Sequence, residues 1–264
     1  MSFAKTTLKT ALLAAMVGTV LPVRGADQGQ LQQLRATRQC PRCNLQEAEL
    51  VGEYLANANL RQTNLSGANL RGADLRLADL LQANLQDADL QGADLRGTNL
   101  TEANLARANW QGSRLSPETQ VSPQWRLVWQ VVNQGAAGIV LENQTLPGAN
   151  LSRSQLQGMN LRGINLAQGS LMGAALSEAN LSGANLMGVD FAIADLTRAN
   201  LSRANLAQAN FQAADLTGAQ LTEANLSKAN LSQADLSDAD LTGANLAEAQ
   251  LCGAHLPDGS VHPC

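Results

Sequence analysis

A leucine recurs at every fifth position of this chain over two long stretches. The first runs from Leu45 to Leu115, with Trp110 in place of one leucine, and the second runs from Leu146 to Leu256, shifted in phase by one residue. A small residue, most often Ala, stands two places before each Leu, and Asn or Asp stands between them. The repeating unit therefore reads A-(N/D)-L-x-x, where x varies.

A period of five fits neither an α-helix nor a flat strand. A helix repeats at about 3.6 residues and would spread the leucines over every face. A strand alternates at two and would switch faces at each unit. A short extended piece would point Ala and Leu the same way, and the next two residues would turn the chain. Four such sides close a square coil of about 20 residues, and coils stack about 4.8 Å apart around a Leu and Ala interior.

This unit resembles the consensus of the pentapeptide-repeat family, and the resemblance covers repeat block 1, residues 44–115, and repeat block 2, residues 146–256. For that family it implies an all-β repeat solenoid, a right-handed quadrilateral β-helix. We expect it to carry short helical caps and a helical interruption between the blocks. The resemblance implies little about activity, because members of the family differ widely in role.

Residues 1–25 have the pattern of a secretory signal peptide. Lys5 and Lys9 precede a short apolar stretch, and small residues stand at positions −3 and −1 of a cut before Ala26. The stretch is too short to span a bilayer, which takes about 20 apolar residues. We expect an exported protein of the periplasm, or of the thylakoid lumen if the source is a cyanobacterium, with no transmembrane segment in the mature chain.

Residues 26–43 form the predicted N-terminal cap. Asp27 fits the N-cap of a short helix, and Leu31 and Leu34 would share one side of it. The open end of a β-solenoid exposes unpaired strand edges, so a covering helix would prevent end-to-end association. We therefore expect this helix to lie over the first coil.

Four cysteines stand near the two ends of the repeat region. Cys40 and Cys43 precede block 1, and Cys252 and Cys264 flank the C-terminal tail, residues 257–264. An even number in an exported chain favours disulfides. We expect the pairs 40–43 and 252–264, because cross-pairing would require the two ends of a stack of coils to meet. For Cys40 and Cys43 the alternative is a redox dithiol or half of a metal site, although no second CxxC or nearby His completes a zinc set.

The interruption, residues 116–145, carries an aromatic stripe. Trp125, Val128, Trp129 and Val132 fall at i, i+3, i+4 and i+7, which predicts one face of a helix. Such a stripe can dock a partner or a membrane surface. The spacing is more typical of a helix packed against the adjoining coils. The phase shift leaves open whether the two blocks form one continuous solenoid.

The residues do not favour catalysis or nucleic-acid binding. An enzyme needs converging groups in a concave pocket, whereas the two histidines, His255 and His262, both lie near the C-terminus. Together with Asp258 they would make a poor metal site, so we expect no metal and no cofactor. The chain has 18 Lys and Arg against 22 Asp and Glu, without the basic clusters that phosphate binding requires.

These observations predict a non-enzymatic structural or protein-interaction scaffold of an extracytoplasmic compartment. It would bind an unknown protein partner through the flat outer faces of the β-helix. One alternative is an acidic DNA mimic that binds a DNA-acting enzyme, although the export signal and the scattered arginines speak against it. A second alternative is a peripheral membrane or envelope protein that docks through the Trp125 and Trp129 helix.

Overall fold

The computed structural model describes residues 25–264, so the predicted signal peptide lies outside the described residues except for Gly25. The described chain is a solenoid in which bridged residues pair in parallel with the residue 20 positions later, as Asn64 does with Asn84 and Asn165 with Asn185. Bridged residues recur every five positions, so each coil has four sides.

Each side of the coil is very short. The structure assigns isolated bridges of one residue and no longer strand within residues 25–264. The expectation of an all-β fold is therefore met only by these parallel bridges. The physical reason is the turn that follows each Leu, which leaves too little extended chain on one side for a second bridged residue.

The backbone hydrogen bonds of a single unit explain why the repeat requires Asn or Asp before Leu. In residues 64–68, the N–H of Asn64 donates to a carbonyl of the preceding coil, and the N–H groups of Leu65 and Gly67 donate to carbonyls of the next coil. The N–H of Ala68 donates to Leu65 O within the turn, at 3.0 Å. The remaining N–H, of Ser66, donates to Oδ1 of Asn64 at 3.2 Å. All five donors are thus satisfied, and the last of them needs the Asn or Asp side chain.

The interior is filled by the leucines and alanines of the repeat, which form one hydrophobic cluster through both blocks. Phe191 and Phe211 replace Leu in successive coils, and their rings stack with centroids 4.8 Å apart. Thr63 and Thr98 occupy inward Ala positions and are buried. Their Oγ1 atoms donate to backbone carbonyls of the preceding coil at 2.7 Å, so these polar groups are satisfied.

Two helices interrupt this regularity. Helix α1 (Gln28–Thr37) begins after Asp27, whose side chain accepts a hydrogen bond from Gln30 N, and it buries Leu31 and Leu34. Helix α2 (Pro123–Gln134) lies in the interruption. Among the described residues, no helix combines the length and the hydropathy that crossing a bilayer requires.

The two repeat blocks continue one another across the interruption. Arg107 N donates to Gly148 O at 2.7 Å, and the side chain of Asn150 donates to Arg107 O at 3.3 Å. Gln111 Nε2 donates in the same way to Ser152 O. Block 2 therefore stacks on block 1 in one solenoid, which answers the question that the phase shift left open.

The C-terminal end is closed by the tail rather than by a helix. His255 and Val261 form an antiparallel bridge, and Gly253 N donates to His262 O. The expected helical cap is therefore present at the N-terminal end only, within the residues that the structure describes.

A pair of Leu→Ala variants tests whether the stacked interior supplies the stability. Leu85 is fully buried, so L85A leaves a cavity and is expected to lower the free energy of unfolding by about 2–5 kcal/mol. Leu77 is 64% exposed, so L77A should change it by less than about 0.5 kcal/mol. Guanidinium unfolding followed by circular dichroism measures both, and an equal loss in the two variants would contradict the packing described here.

Candidate protein-interaction surfaces

Disulfides lie at both ends of the solenoid. Cys40 is joined to Cys43, with the Cα atoms 5.4 Å apart, and Cys252 is joined to Cys264, with the Cα atoms 4.4 Å apart. The pairs are those expected from the sequence. The first lies buried where α1 meets the first coil, and the second holds the tail across the last coil. Both disulfides link residues that are close in the sequence, at the positions where the regular stacking of coils ends.

The histidines of the tail have structural partners. Nδ1 of His262 lies 2.7 Å from Pro263 O, and His255 is bridged to Asp235 of the preceding coil. Oδ1 of Asp258 accepts hydrogen bonds from the N–H and the hydroxyl of Ser260. Within residues 25–264 no group of three His, Cys, Asp or Glu side chains is placed to hold a metal ion.

The aromatic stripe of α2 faces the solenoid. Trp125 and Val128 are buried, and Trp129 packs against the core with Nε1 donating to Ser113 O at 3.1 Å. The sequence placed Val132 on the buried face, whereas the structure buries Val131 fully and Val132 only in part. The reason is that Val131 lies three residues after Val128, which places it on the same face of the helix. The proposed docking helix therefore presents its tryptophans to the protein interior.

Regular polar ladders cover most of the outer surface. On one side of block 1, Asn64 donates to Asn44, Asn84 to Asn64 and Asn104 to Asn84, with N–O distances of 3.0–3.2 Å. A similar ladder of asparagines in block 2 starts at Asn165. Because each Asn also accepts from the N–H two residues later, its side chain is held at both ends. These sides are flat and rigid.

One surface departs from this pattern and is here called the arginine groove. It is an open depression of about 610 Å³ on one side of block 1. Two of its residues are apolar and exposed, Tyr54 by 55% and Leu77 by 64%. Gly97 makes room for Leu77, since a Cβ at position 97 would lie 2.6 Å from Leu77 Cδ2. The lining residues used below are Tyr54, Arg76, Leu77, Arg96, Ser116 and Glu118.

One rim of the arginine groove is a bulge, which forms where the pairing between coils shifts by one residue. Asn99 bridges Gln120, one position beyond the regular partner. The extra residue is accommodated between Ser116 and Thr119. Gly97 N consequently donates to the hydroxyl groups of these two residues, at 3.1 and 3.2 Å, instead of to a backbone carbonyl. The resulting bulge carries Glu118 along the edge of the depression.

The two arginines that line the groove are bound to aspartates beside it. Arg76 binds Asp74 through two hydrogen bonds, of 2.6 and 2.8 Å. Arg96 binds Asp94 in the same way, at 2.7 and 2.9 Å, and Arg114 reaches Asp94 at 3.2 Å. The bond to Arg96 holds the pKa of Asp94 below its ordinary value of 3.8, although burial acts in the opposite direction. The carboxylates are thus ionised and held in place by guanidinium groups.

Sequence reasoning missed this groove. Tyr54 stands at an Asn or Asp position of the repeat and Leu77 at a variable position, and neither is among the candidate residues predicted from the sequence. The available signal was their chemistry, because a large apolar residue at an outward position is unusual in this repeat. Tyr54 and Arg76 are 22 residues apart in the sequence and Leu77 and Gly97 are 20 apart, so these pairs come together only in the coil.

Comparison with known proteins identifies relatives over most of the chain. The sequence model of pentapeptide repeats matches residues 42–82, 78–116, 154–192, 194–233 and 219–256, more than half of the chain. HetL, a pentapeptide repeat protein involved in heterocyst differentiation regulation in the cyanobacterium Nostoc sp. strain PCC 7120, is 34% identical. The match covers 85% of each chain with a TM-score of 0.44. A pentapeptide repeat protein of the Arabidopsis thaliana thylakoid lumen is 31% identical over 45% of this chain and 72% of its own, with a TM-score of 0.23. No curated protein matches the sequence.

Mass spectrometry without reduction tests the cysteine pairing. We expect tryptic peptides that contain the 40–43 and 252–264 links, because each pair lies within bonding distance in the folded chain. Reduction and alkylation should shift all four cysteines together, which serves as the control. Four free thiols in the exported protein would contradict both the pairing and export.

The pH dependence of stability tests the Asp94 cluster. Because Asp94 has a lowered pKa in the folded chain, its ionised form stabilises the protein above pH 3.8, and this stabilisation is lost as the pH falls through the lower folded value. Asp94→Asn should therefore lower the melting temperature at about pH 7, and this deficit should shrink as the pH falls below 3.8. Asp215→Asn is the control, since Asp215 is exposed and forms no ion pair among the described residues. A D94N deficit that persists in acid would contradict the assignment.

Proposed function

This chain belongs to the pentapeptide-repeat family, and from that premise we propose that it is a non-enzymatic scaffold that binds a protein partner through the outer faces of its solenoid. We include in the proposal the right-handed, four-sided winding implied by the family. The leucines and alanines fill the interior, so the groups available for function are those that point outward.

The observation that carries this proposal is the rigid spacing of the outward side chains. Backbone bonds between coils place equivalent positions 20 residues apart in sequence and next to one another in space. Side-chain ladders such as Asn44, Asn64 and Asn84 add a second connection. A partner that binds such a face meets side chains that lose little conformational freedom on binding, which favours affinity.

The compartment is a further part of the proposal. Disulfides at both ends suit an oxidising environment, and the predicted signal peptide supplies the route to it. We therefore propose that the protein works outside the cytoplasm, in the periplasm or the thylakoid lumen.

The ion pairs and buried tryptophans of the surface fit a protein-binding scaffold better than a DNA mimic or a membrane-docking protein. A DNA mimic needs unpaired acidic groups, but Arg61 pairs with Asp79 at 2.8 Å and Arg71 with Asp89 at 3.1 Å. A membrane-docking helix needs exposed tryptophans, whereas Trp125 is buried and Trp129 packs against the core.

Charge reversal on one face at a time tests the scaffold. The tagged full-length protein is expressed for export, captured from the exported fraction, and compared in three double variants, each of which reverses two arginines on one side of the coil: R42E/R61E, R71E/R153E and R76E/R96E. We expect one of the three to lose a partner that the other two retain, because only one face forms the contact. Retention of every captured protein by all three variants would overturn the scaffold.

The same preparation tests export. N-terminal sequencing of the captured protein is expected to begin at Ala26, because the predicted cut lies directly before it. An intact N-terminus in the cytoplasmic fraction would contradict the proposed compartment.

A further inference from the structure

We propose that the arginine groove is a docking site for a short acidic segment of a partner protein, one that carries an apolar side chain among its carboxylates. The inference rests on the proposed scaffold function and specifies which face makes the contact. Three observations support the inference: the apolar residues of the groove, its charge and its shape.

Leu77 has no evident role in the stability of the fold. It is 64% exposed, and its φ of +58° lies in a region that branched residues rarely adopt. The same turn position elsewhere in block 1 holds Gly or a polar residue, for example Gln62, Gly72 and Gln82. Unlike Ile193, the exposed apolar residue with positive φ in block 2, Leu77 lies in a depression together with a second exposed apolar side chain, Tyr54, and is available there for a contact with a partner.

Tyr54 extends the apolar part of the groove. It is 55% exposed, and the guanidinium of Arg38 lies 4.8 Å from its ring centroid. This contact holds the ring in place through a cation–π interaction. Tyr54 and Leu77 both line the depression, so together they offer a fixed apolar surface beside the arginines. Tyrosine and arginine are the residue types most enriched among the dominant contacts of protein interfaces.

The groove also has an excess of positive charge. Four arginines lie in or beside it, Arg38, Arg76, Arg96 and Arg114, against three carboxylates, Asp74, Asp94 and Glu118. A guanidinium has five N–H donors, and a two-point bond to one carboxylate uses two of them. Arg76 and Arg96 are each nearly half exposed, so donors remain for a second carboxylate. Asp74 and Asp94 already hold the two guanidinium groups in fixed orientations, so a bound carboxylate costs less side-chain entropy.

The shape and the surrounding charge select the partner. A volume of about 610 Å³ suits a few side chains of a bound segment. The whole chain has a net charge of −4, which repels a long polyanion such as a nucleic acid. Glu118 on the rim disfavours a segment that is acidic throughout its length. A peptide with carboxylates over Arg76 and Arg96, and an apolar side chain against Leu77, fits all three conditions.

Peptide selection on the intact protein tests the inference. Displayed random peptides of about 12 residues are selected on the immobilised full chain, and selected sequences are labelled with fluorescein and titrated by polarisation. The variants are L77A and R76Q. Their matched controls are I193A, at an exposed residue with positive φ in block 2, and R203Q, at an exposed ion-paired arginine of block 2. A single-stranded DNA of similar length is titrated as the competing ligand class.

We expect selected peptides that contain Asp or Glu together with an apolar residue. Their affinity should fall about 10-fold in L77A and in R76Q, stay unchanged in both controls, and weaken as salt is raised. Because L77A keeps its stability, its loss of binding cannot result from unfolding. Selected peptides that lack acidic residues, equal affinity for L77A and I193A, or tighter binding of the DNA would each overturn the inference. If the R42E/R61E or the R71E/R153E variant alone loses the captured partner, the inference about the arginine groove is wrong while the scaffold function stands.

Discussion

The need of each backbone N–H for an acceptor underlies the whole architecture. A five-residue side is too short to satisfy its own donors, so three of them bond to neighbouring coils, one bonds within the turn and one bonds to the Asn or Asp side chain. This arrangement works only if every coil has the same length, because a coil of another length would misalign the bonds above and below it. The constant position of Leu and Ala in the interior follows from that requirement.

The arginine groove lies where this register is interrupted. The extra residue between Ser116 and Thr119 moves the backbone carbonyl away from Gly97, whose N–H turns to two hydroxyl groups. The bulge forms one rim of the arginine groove, and α2 follows directly after it. The interruption therefore does two things: it seals the core between the blocks with Trp125 and Val128, and it gives an otherwise flat side a concave surface.

The distribution of charge follows the same geometry. Ion pairs join residues 18 or 20 positions apart, such as Arg61 with Asp79 and Arg107 with Asp87, because those positions lie next to one another in adjacent coils. Exposed pairs of this kind contribute little to stability. Asp94 differs, since its side chain is only 8% exposed and three arginines lie within 4.0 Å of it. That concentration of guanidinium groups lies beside the arginine groove.

The sequence by itself determined the repeat, the family and the inward positions, because a five-residue period allows only a coil whose buried residues are Leu and Ala. The family expected from that unit is confirmed. The N-cap role of Asp27 and the pairing of the cysteines could also be predicted, since each interaction joins residues that are close in the sequence. Only the tertiary structure decided how the blocks join at Arg107 and Gly148, and which face of α2 is covered. It alone brought Tyr54 to Arg76 and Arg96, because neighbours one coil apart depend on how the whole chain stacks and not on any local pattern.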